Sequence, residues 1–293
     1  MVKTTWITCN ACNSDTFKKL SIADGWHIGQ CTNCSLIYLN PMPFFEPSAE
    51  FSDMSLDFQY TQFQYQITEE VLQHDKQQFA RQVEILSQLS GTHLTSGKFL
   101  DIGCGSGSTV RAAADMGWDA IGIDIDPNLI ELGKAQHGVD LRCTPLLESG
   151  FDGNQFHFIR LRDVIEHLPN PYEALLEIKR LLAPGGFVLI ATPNEDALPT
   201  QIRLLLGHKR DQVATVPPPH HVHGFTPKTL KRILERAGLE IHRLGTTTPI
   251  DPEYVTARNM NSASNKLHVL LWSAANAIGK GSMLIGWARK VDE

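Results

Sequence analysis

The chain has 293 residues, of which 42% are apolar and 20% charged, and its formal net charge at pH 7 is -6. That length allows one large domain with a smaller unit, and the acidic balance argues against a non-specific nucleic-acid surface. No apolar run reaches the roughly 18 residues of a membrane span, and residues 1–12 lack an apolar export segment, so we expect a cytoplasmic protein.

Four of the six cysteines lie near the start of the chain, as two Cys-x-x-Cys pairs. Cys9 and Cys12 form the first pair, and Cys31 and Cys34 form the second after eighteen intervening residues. This spacing is typical of a structural zinc ribbon, in which four thiolates hold Zn²⁺ and leave no open coordination position. Without an export segment, metal binding or burial is favoured over disulfides. The sequence therefore predicts a zinc-ribbon unit over residues 1–40.

Residues 41–95 are predicted to form a linker followed by helices. The stretch NPMPFFEP, residues 40–47, contains three prolines and is typical of a linker. From residue 57 to residue 89 the chain lacks glycine and proline, and its apolar residues recur at roughly helical spacing. One or two helices are expected there.

Residues 96–293 alternate between strand and helix patterns. Helix starts are indicated at Asp126-Pro127 and at Thr226-Pro227, where a capping side chain precedes proline. Such alternation predicts an α/β domain with a doubly wound, mostly parallel sheet, whose ligands bind beyond the carboxyl ends of the strands. The seven predicted strands are Lys98–Ile102, Ala120–Asp124, Val139–Cys143, Phe156–Arg160, Phe187–Ala191, Leu239–Leu244 and Ser282–Ala288.

The stretch FLDIGCGSGSTV, residues 99–110, places glycines at Gly103, Gly105 and Gly107 directly after a predicted strand. It lacks the lysine of a P-loop, which argues against a nucleoside triphosphatase. It also fails the dinucleotide fingerprint, because Ser108 stands where the third glycine is needed. The loop instead suits a ligand whose amino-acid-like tail and ribose lie against the backbone, without a pyrophosphate.

Asp124 follows Gly103 by about twenty residues, at the end of the second predicted strand, where an acidic side chain binds ribose hydroxyls in βαβ nucleotide sites. Asp126 lies two residues further on and is assigned to helix capping. Asp124 is therefore the predicted ribose ligand.

Four segments carry a family resemblance: LDIGCGSGS, IGIDIDPNLIELGKA, DVIEHLPNPYEALLEIKRLLAPGGFVLIATPN and HHVHGFTPKTLKRILERAGLEI. In this order they resemble class I S-adenosylmethionine-dependent methyltransferases, particularly the small-molecule group that includes the ubiquinone-biosynthesis O-methyltransferases. The resemblance covers about residues 96–290 and implies a Rossmann-like domain. His157 is a departure, because the family usually has a mostly structural aspartate there.

The resemblance implies a binding site for S-adenosylmethionine and assigns residues to it. Asp124 would bind the ribose diol, and residues 143–146 would lie near the adenine. Asp163 would lie near the sulfonium. The methionine and ribose portion would be lined by Asp101, Gly103, Gly105 and Gly107. Because the sulfonium methyl is already activated, the protein must align the nucleophile, exclude water and remove a proton from a hydroxyl acceptor.

A second group of polar residues comprises Asp163, Glu166 and His167, together with a distant histidine segment that contains His221. At helical spacing the first three would share a face. The resemblance leaves two interpretations open, because an E-x-x-E-H motif binds a divalent metal in some relatives and the first glutamate here is an aspartate. In the favoured interpretation Glu166 and His167 order the loop, and His221 or His223 is a general base or a core histidine. In the other, Glu166, His167 and His221, with help from Asp163, hold a divalent metal. Under both, His167 and His221 are the catalytic candidates, whereas His220 and His223 are expected to be solvated or packed.

Two segments, about 195–224 and 250–280, are predicted to form lids over a small-molecule acceptor. An apolar and basic helix is expected at Leu198–Arg210. A lid or dimer contact is favoured over an interfacial membrane contact, because charges are few. The ribbon resembles the zinc unit of some sugar C-methyltransferases and of some ribosomal RNA methyltransferases. Its few basic residues favour a substrate-covering or interface role over RNA binding.

Methylation of a small biosynthetic intermediate, at oxygen before carbon or nitrogen, is therefore the expected activity. An RNA methyltransferase and a non-catalytic ligand-binding or scaffold protein are the alternatives.

Overall fold

A computed structural model describes residues 3–23, 25–44, 69–208, 221–247 and 273–291 of the chain. Parts of the predicted linker, of both predicted lids and of the histidine segment, including His220, therefore lie outside the described residues. Among the described helices, none combines the length and the apolar character needed to cross a bilayer.

The N-terminal region folds into five strands. They are β1 (Lys3–Thr5), β2 (Phe17–Ala23), β3 (Trp26–Cys31), β4 (Ile37–Leu39) and β5 (Met42–Phe44). β1 pairs antiparallel with β5, and β2, β3 and β4 form consecutive antiparallel pairs. The cysteine region is thus a small β-unit, as a zinc ribbon requires.

The remainder alternates strands and helices. The strands are β6 (Lys98–Ile102), β7 (Asp119–Asp124), β8 (Asp140–Cys143), β9 (Phe156–Arg162), β10 (Leu182–Pro193), β11 (His223–Gly224), β12 (Leu239–Thr247) and β13 (Met283–Lys290). The helices are α1 (Glu69–Ser90), α2 (Ser108–Asp115), α3 (Pro127–His137), α4 (Pro171–Leu181), α5 (Leu198–Leu205) and α6 (Pro227–Arg236), with a 3₁₀ turn at Leu146–Glu148.

A seven-stranded sheet has the order β12-β13-β10-β9-β6-β7-β8. Its β6-β7 and β7-β8 pairs are parallel, whereas β12 and β13 are antiparallel. The seven strands are the seven predicted from the sequence, so the predicted fold class is confirmed. β10 begins five residues before the prediction, at Leu182, because the Ala-Pro-Gly-Gly stretch that is typical of a turn is part of the strand.

Both predicted helix starts are also confirmed. The Asp126 carboxylate accepts hydrogen bonds from the N–H groups of Asn128 and Leu129 at the start of α3. The Thr226 hydroxyl accepts from the N–H of Thr229 at the start of α6. These side chains satisfy backbone donors that a helix leaves unpaired in its first turn.

The chain divides into two compact units. The glycine-loop unit consists of Phe45–Arg160 and Leu181–Phe187, and the histidine unit consists of Met1–Phe44, Leu161–Arg180 and Val188–Glu293. The described ribbon strands therefore belong to the same unit as the histidine segment.

An aromatic cluster forms the core of the glycine-loop unit. The Phe79 ring, on α1, lies 4.9 Å from that of Phe99 and 5.7 Å from that of Trp118, measured between centroids. Phe158 on β9 completes the cluster, 5.1 Å from Phe99. Because burying one large apolar side chain is worth roughly 1.5–3 kcal/mol, this cluster anchors the strand β6 that leads into the glycine loop.

Candidate active site

The glycine loop joins β6 to α2 in a conformation that requires glycine. Gly103, Gly105 and Gly107 have φ values of 71°, 55° and 79°, the left-handed region that L-residues rarely adopt. A Cβ on Gly107 would lie 2.7 Å from Leu141 Cδ2, whereas one on Gly105 would meet no atom of the described residues within 4 Å. The backbone is therefore packed on one side and open at Gly105, where a ligand can approach it.

Asp124, at the carboxyl end of β7, is hydrogen-bonded to this loop. Its Oδ2 accepts from the Gly105 N–H at 2.8 Å, and its Oδ1 accepts from the Asp126 N–H at 3.0 Å. Burial raises the pKa of the Asp124 carboxyl, although these backbone hydrogen bonds oppose the shift. The structure thus brings together the predicted ribose ligand and the predicted glycine loop.

Asp101 has a partner that sequence reasoning missed. Its two carboxylate oxygens accept from Arg160 Nε and Nη2 at 2.8 and 2.7 Å, and only 1% of the Asp101 side chain and 7% of the Arg160 side chain are exposed. The arginine lies on β9, between Ile159 and Leu161. A buried charge needs a partner of opposite sign, so an arginine flanked by apolar residues was the available clue to the pair.

Asp163 follows β9 directly and has a φ of 54°. Its N–H donates to the Ala191 carbonyl at 2.9 Å, and 44% of its side chain is exposed. A non-glycine residue in this region carries backbone strain, which is typical of functional sites.

Glu166, His167 and His221 form one group, here called the histidine cluster. Their ligand-type atoms all lie within 4.8 Å of one another. The two imidazole rings are 4.6 Å apart between centroids and nearly perpendicular, at 87°. The structure therefore brings together both catalytic candidates and the predicted metal-ligating glutamate.

Glu166 is buried, with a relative exposure of 1%. Its Oε2 accepts from the Thr192 hydroxyl at 2.9 Å, whereas its Oε1 has no hydrogen-bond partner within the described residues. Burial, and then the nearby Asp163 carboxylate, raise the pKa of Glu166 well above its ordinary value. A buried carboxylate oxygen without a partner, facing two imidazoles, is a donor set that fits a divalent cation.

His223 is packed, as expected. Its ring stacks between those of Tyr38 and Phe225, at centroid distances of 6.1 and 6.0 Å. Burial lowers its pKa to about 3, so the imidazole is neutral. His157, the departure from the family pattern, accepts from the Lys98 N–H at 3.0 Å and so has a structural contact.

The four ribbon cysteines form a second metal-binding group, since their sulfur atoms all lie within 4.8 Å of one another. Cys9 and Cys34 are 3.4 Å apart at sulfur, and Cys12 and Cys31 are 3.5 Å apart. All four are free, and a disulfide would need about 2.05 Å. The residue after each pair has a positive φ, 57° at Asn13 and 73° at Ser35, so the two loops have the same backbone turn. Four converging thiolates fit a tetrahedral Zn²⁺.

Residues 72–244 match a protein family described as "Methyltransferase domain". Several curated relatives are named ubiquinone biosynthesis O-methyltransferase. The one from Bordetella avium is 27% identical over 54% of this chain and 68% of its own length. One from Cereibacter sphaeroides is 26% identical over 69% of this chain and 76% of its own. A third, from Dinoroseobacter shibae, is 31% identical over 49% of this chain and 60% of its own.

Solved structures show the same fold at low sequence identity. A chain from the complex between the Haloferax volcanii Trm112 methyltransferase activator and a methyltransferase has a TM-score of 0.54 and 15% identity. The alignment covers 85% of this chain and 99% of that one. An S-adenosylmethionine-dependent methyltransferase from Mesorhizobium loti has a TM-score of 0.50 and 18% identity over 70% of this chain and 96% of its own.

Proposed function

The chain belongs to the methyltransferase-domain family, and we propose that it transfers the methyl group of S-adenosylmethionine to an oxygen atom of a small-molecule biosynthetic intermediate. Its family and its relatives support an S-adenosylmethionine-dependent enzyme that acts on a small molecule. That the acceptor atom is oxygen is a more specific proposal than the enzyme class. The observation that carries it is the histidine cluster, which offers two imidazoles and a buried carboxyl group in one place.

The glycine-loop unit supplies the proposed cofactor site. Gly103, Gly105 and Gly107 expose backbone to the methionine and ribose portion. The Asp124 carboxylate, fixed at the loop by the Gly105 N–H, accepts hydrogen bonds from the ribose hydroxyls. Asp101, on the strand β6 that leads into the loop, supports the loop through its ion pair with Arg160.

In the histidine unit, we assign Asp163 to the sulfonium, as the resemblance implies. The chemical step needs an acceptor oxygen in line with the methyl carbon and sulfur, without competing water. A hydroxyl acceptor must also lose its proton as the O–C bond forms and the C–S bond breaks. His221 or His167 takes this proton, since the ordinary pKa of imidazole lies nearest to neutral pH among side chains.

The histidine cluster also fits a divalent metal. Glu166 would supply its unpartnered Oε1, and His167 and His221 would each supply a ring nitrogen. When bound, the cation would stabilise an acceptor oxygen as an anion. Without a cation, burial holds the pKa of Glu166 above its ordinary value, and the histidines alone act on the acceptor proton.

The four-cysteine ribbon is proposed to hold a structural Zn²⁺. Its thiolates leave no open coordination position for chemistry. A region this small gains its folding free energy from the metal, because its own apolar core is limited.

Methyl transfer from isotope-labelled S-adenosylmethionine to a panel of phenols, catechols and aliphatic alcohols tests the proposal. The wild-type chain should label an oxygen atom, identified by mass spectrometry of the product. Of His221→Ala and His167→Ala, the variant that removes the general base should lower kcat by at least about a hundredfold, the usual contribution of such a group. His93→Ala changes an exposed histidine and should leave kcat unchanged. Product methylated only at carbon or nitrogen would contradict the choice of oxygen.

A metal count shows whether the histidine cluster holds a divalent cation. Elemental mass spectrometry is applied to the native chain, to Cys31→Ser/Cys34→Ser and to His167→Ala. A metal that survives in the cysteine variant and is lost in His167→Ala belongs to the histidine cluster. One zinc ion in the native chain and none in the cysteine variant assigns proton removal to the histidines alone.

A further inference from the structure

The ribbon and the histidine segment share a sheet, in the order β11-β4-β3-β2. β11 pairs antiparallel with β4, with His223 opposite Tyr38 and Gly224 opposite Ile37. The Leu39 N–H also donates to the Val222 carbonyl at 3.0 Å. The strand that follows the second cysteine pair is therefore the hydrogen-bonded support of the segment that carries His221.

The other side of this segment is held by Glu166. The N–H groups of Val222 and His223 both donate to the Glu166 carbonyl, at 2.9 and 3.0 Å. His221 directly precedes these two residues, and its ring contacts that of His167. The histidine segment thus lies between the ribbon strand β4 and the backbone of Glu166. A displacement of β4 would therefore also move His221.

Asn10 adds a side-chain link from the first cysteine pair. It lies between Cys9 and Cys12 and is 8% exposed. Its Nδ2 is 3.5 Å from His223 Nε2 and 3.5 Å from the Pro169 carbonyl oxygen, two residues beyond His167. The Arg236 guanidinium donates to the Asn10 carbonyl.

The second cysteine pair has no such link at the equivalent position. Thr32 follows Cys31 as Asn10 follows Cys9, but Thr32 is exposed, and its hydroxyl donates to that of Thr16 at 2.6 Å. The two metal-binding loops have the same backbone turn, yet their second residues differ in surroundings. Thr32 is therefore a matched control for Asn10.

We propose that Asn10 is a positioning residue that links the metal-bound Cys9–Cys12 loop to His223 and thereby fixes the segment carrying His221. Metal in the four-cysteine ribbon then maintains the geometry of the histidine cluster. The ribbon is thereby part of the proposed acceptor site, and we expect the glycine loop, which belongs to the other compact unit, to be unaffected. The importance assigned to His221 rests on the proposed function, whereas the coupling itself rests only on these contacts.

Hydrogen exchange measured by mass spectrometry on the full zinc-loaded chain tests this coupling. In Asn10→Ala, the amides of residues 221–225 should exchange about fivefold faster, the equivalent of losing one hydrogen bond of ordinary strength. Thr32→Ala should leave their exchange unchanged. Both variants should retain the zinc content of the wild type, and the peptide covering residues 99–108 should exchange as in the wild type. Equal exchange of residues 221–225 in both variants would overturn the proposal.

His223→Phe tests the same link from the other side, in case Asn10→Ala loses its metal. Phenylalanine keeps a ring between Tyr38 and Phe225 but removes the nitrogen that faces Asn10. We expect the same acceleration over residues 221–225, and no further acceleration when Asn10→Ala is added, because one contact cannot be lost twice. Additive acceleration, or none in His223→Phe, would refute the link.

A spectroscopic readout separates positioning from a general loss of stability. In protein labelled with ¹⁵N-histidine, the ring signals of His221 should shift in Asn10→Ala and stay in place in Thr32→Ala. In chains with no metal at the histidine cluster, chelation of the ribbon zinc should shift the His221 signals and leave S-adenosylmethionine affinity unchanged. An unmoved His221 signal after zinc removal would overturn the coupling. Because none of these measurements requires turnover, failure to find a methyl acceptor would contradict the proposed function alone.

Discussion

The buried ion pair beneath the glycine loop makes the sharpest stability prediction. Replacing Asp101 by asparagine leaves the Arg160 guanidinium buried beside a neutral partner. Removing one member of a buried ion pair costs roughly 3–5 kcal/mol. The asparagine carbonyl still accepts one hydrogen bond, worth about 1 kcal/mol, so the expected loss is about 2–4 kcal/mol. This value depends on the burial of the two side chains, which are 1% and 7% exposed.

Asp119→Asn is the matched control, since it makes the same chemical change in the same unit. Asp119 lies 3.9 Å from Lys98 Nζ, and 70% of its side chain is exposed. Exposed pairs contribute roughly 0–1 kcal/mol, so this variant should lose less than about 0.5 kcal/mol.

Urea unfolding without cofactor measures both losses, and hydrogen exchange over residues 98–102 and 156–162 assigns them to the glycine-loop unit. Asp101→Leu/Arg160→Met should recover most of the loss, because apolar replacements of similar volume remove both charges. Losses for Asp101→Asn and Asp119→Asn that agree within about 0.5 kcal/mol would refute the burial argument.

Three further predictions follow from the site. Gly107→Ala should lower thermal stability by about 1 kcal/mol more than Gly105→Ala. Both substitutions place a side chain at a positive φ, but only the one at position 107 would press against Leu141. Equal melting temperatures would contradict this packing. The pKa of Glu166 is raised in the folded chain, so the unfolded chain loses this proton at a lower pH than the folded chain does. Folding stability therefore declines as pH rises from about 4.3 toward the folded pKa. Glu166→Gln should therefore be more stable relative to wild type at pH 8 than at pH 4 in chains carrying only the ribbon zinc, and a difference independent of pH would contradict the assignment. Cys31→Ser/Cys34→Ser should lose one zinc ion per chain and the slow amide exchange of β3 and β4, and retention of both would contradict a ribbon held by metal.

The sequence predicted those features that rest on local patterns. Strands β6 and β7 have short apolar runs, and the aspartates at the start of α3 and the end of β7 have recognisable positions. The three glycines could be placed in a loop because glycine adopts positive φ values more easily than other residues do. These features need only neighbouring residues, which is why they could be predicted without the fold.

Contacts between residues far apart in the sequence could not be predicted. β11 has only two residues, His223 and Gly224, and it exists because β4, far away in sequence, supplies its hydrogen bonds. Neither residue is a typical strand former, so the histidine segment gave no indication of its contact with the ribbon. Likewise, Arg160 could be recognised as unusual between two apolar residues, but its partner could be identified only when β6 and β9 were placed side by side.

The distance between His167 and His221 depends on the same kind of contact. The sequence separates them by more than fifty residues, and hydrogen bonds from the N–H groups of residues 222 and 223 to the Glu166 carbonyl help to bring them together. The choice of these two histidines came from the resemblance to known enzymes and from the chemistry of imidazole.

Calorimetric titration with S-adenosylmethionine tests the central claim most directly. The wild-type chain should bind one cofactor molecule, and Asp124→Ala should bind it about ten- to a hundredfold more weakly, the loss expected for charge-assisted hydrogen bonds to the ribose. Asp152→Ala changes an exposed aspartate of the same unit and should bind as the wild type does. No binding by the wild-type chain, or equal affinity in Asp124→Ala, would contradict the account.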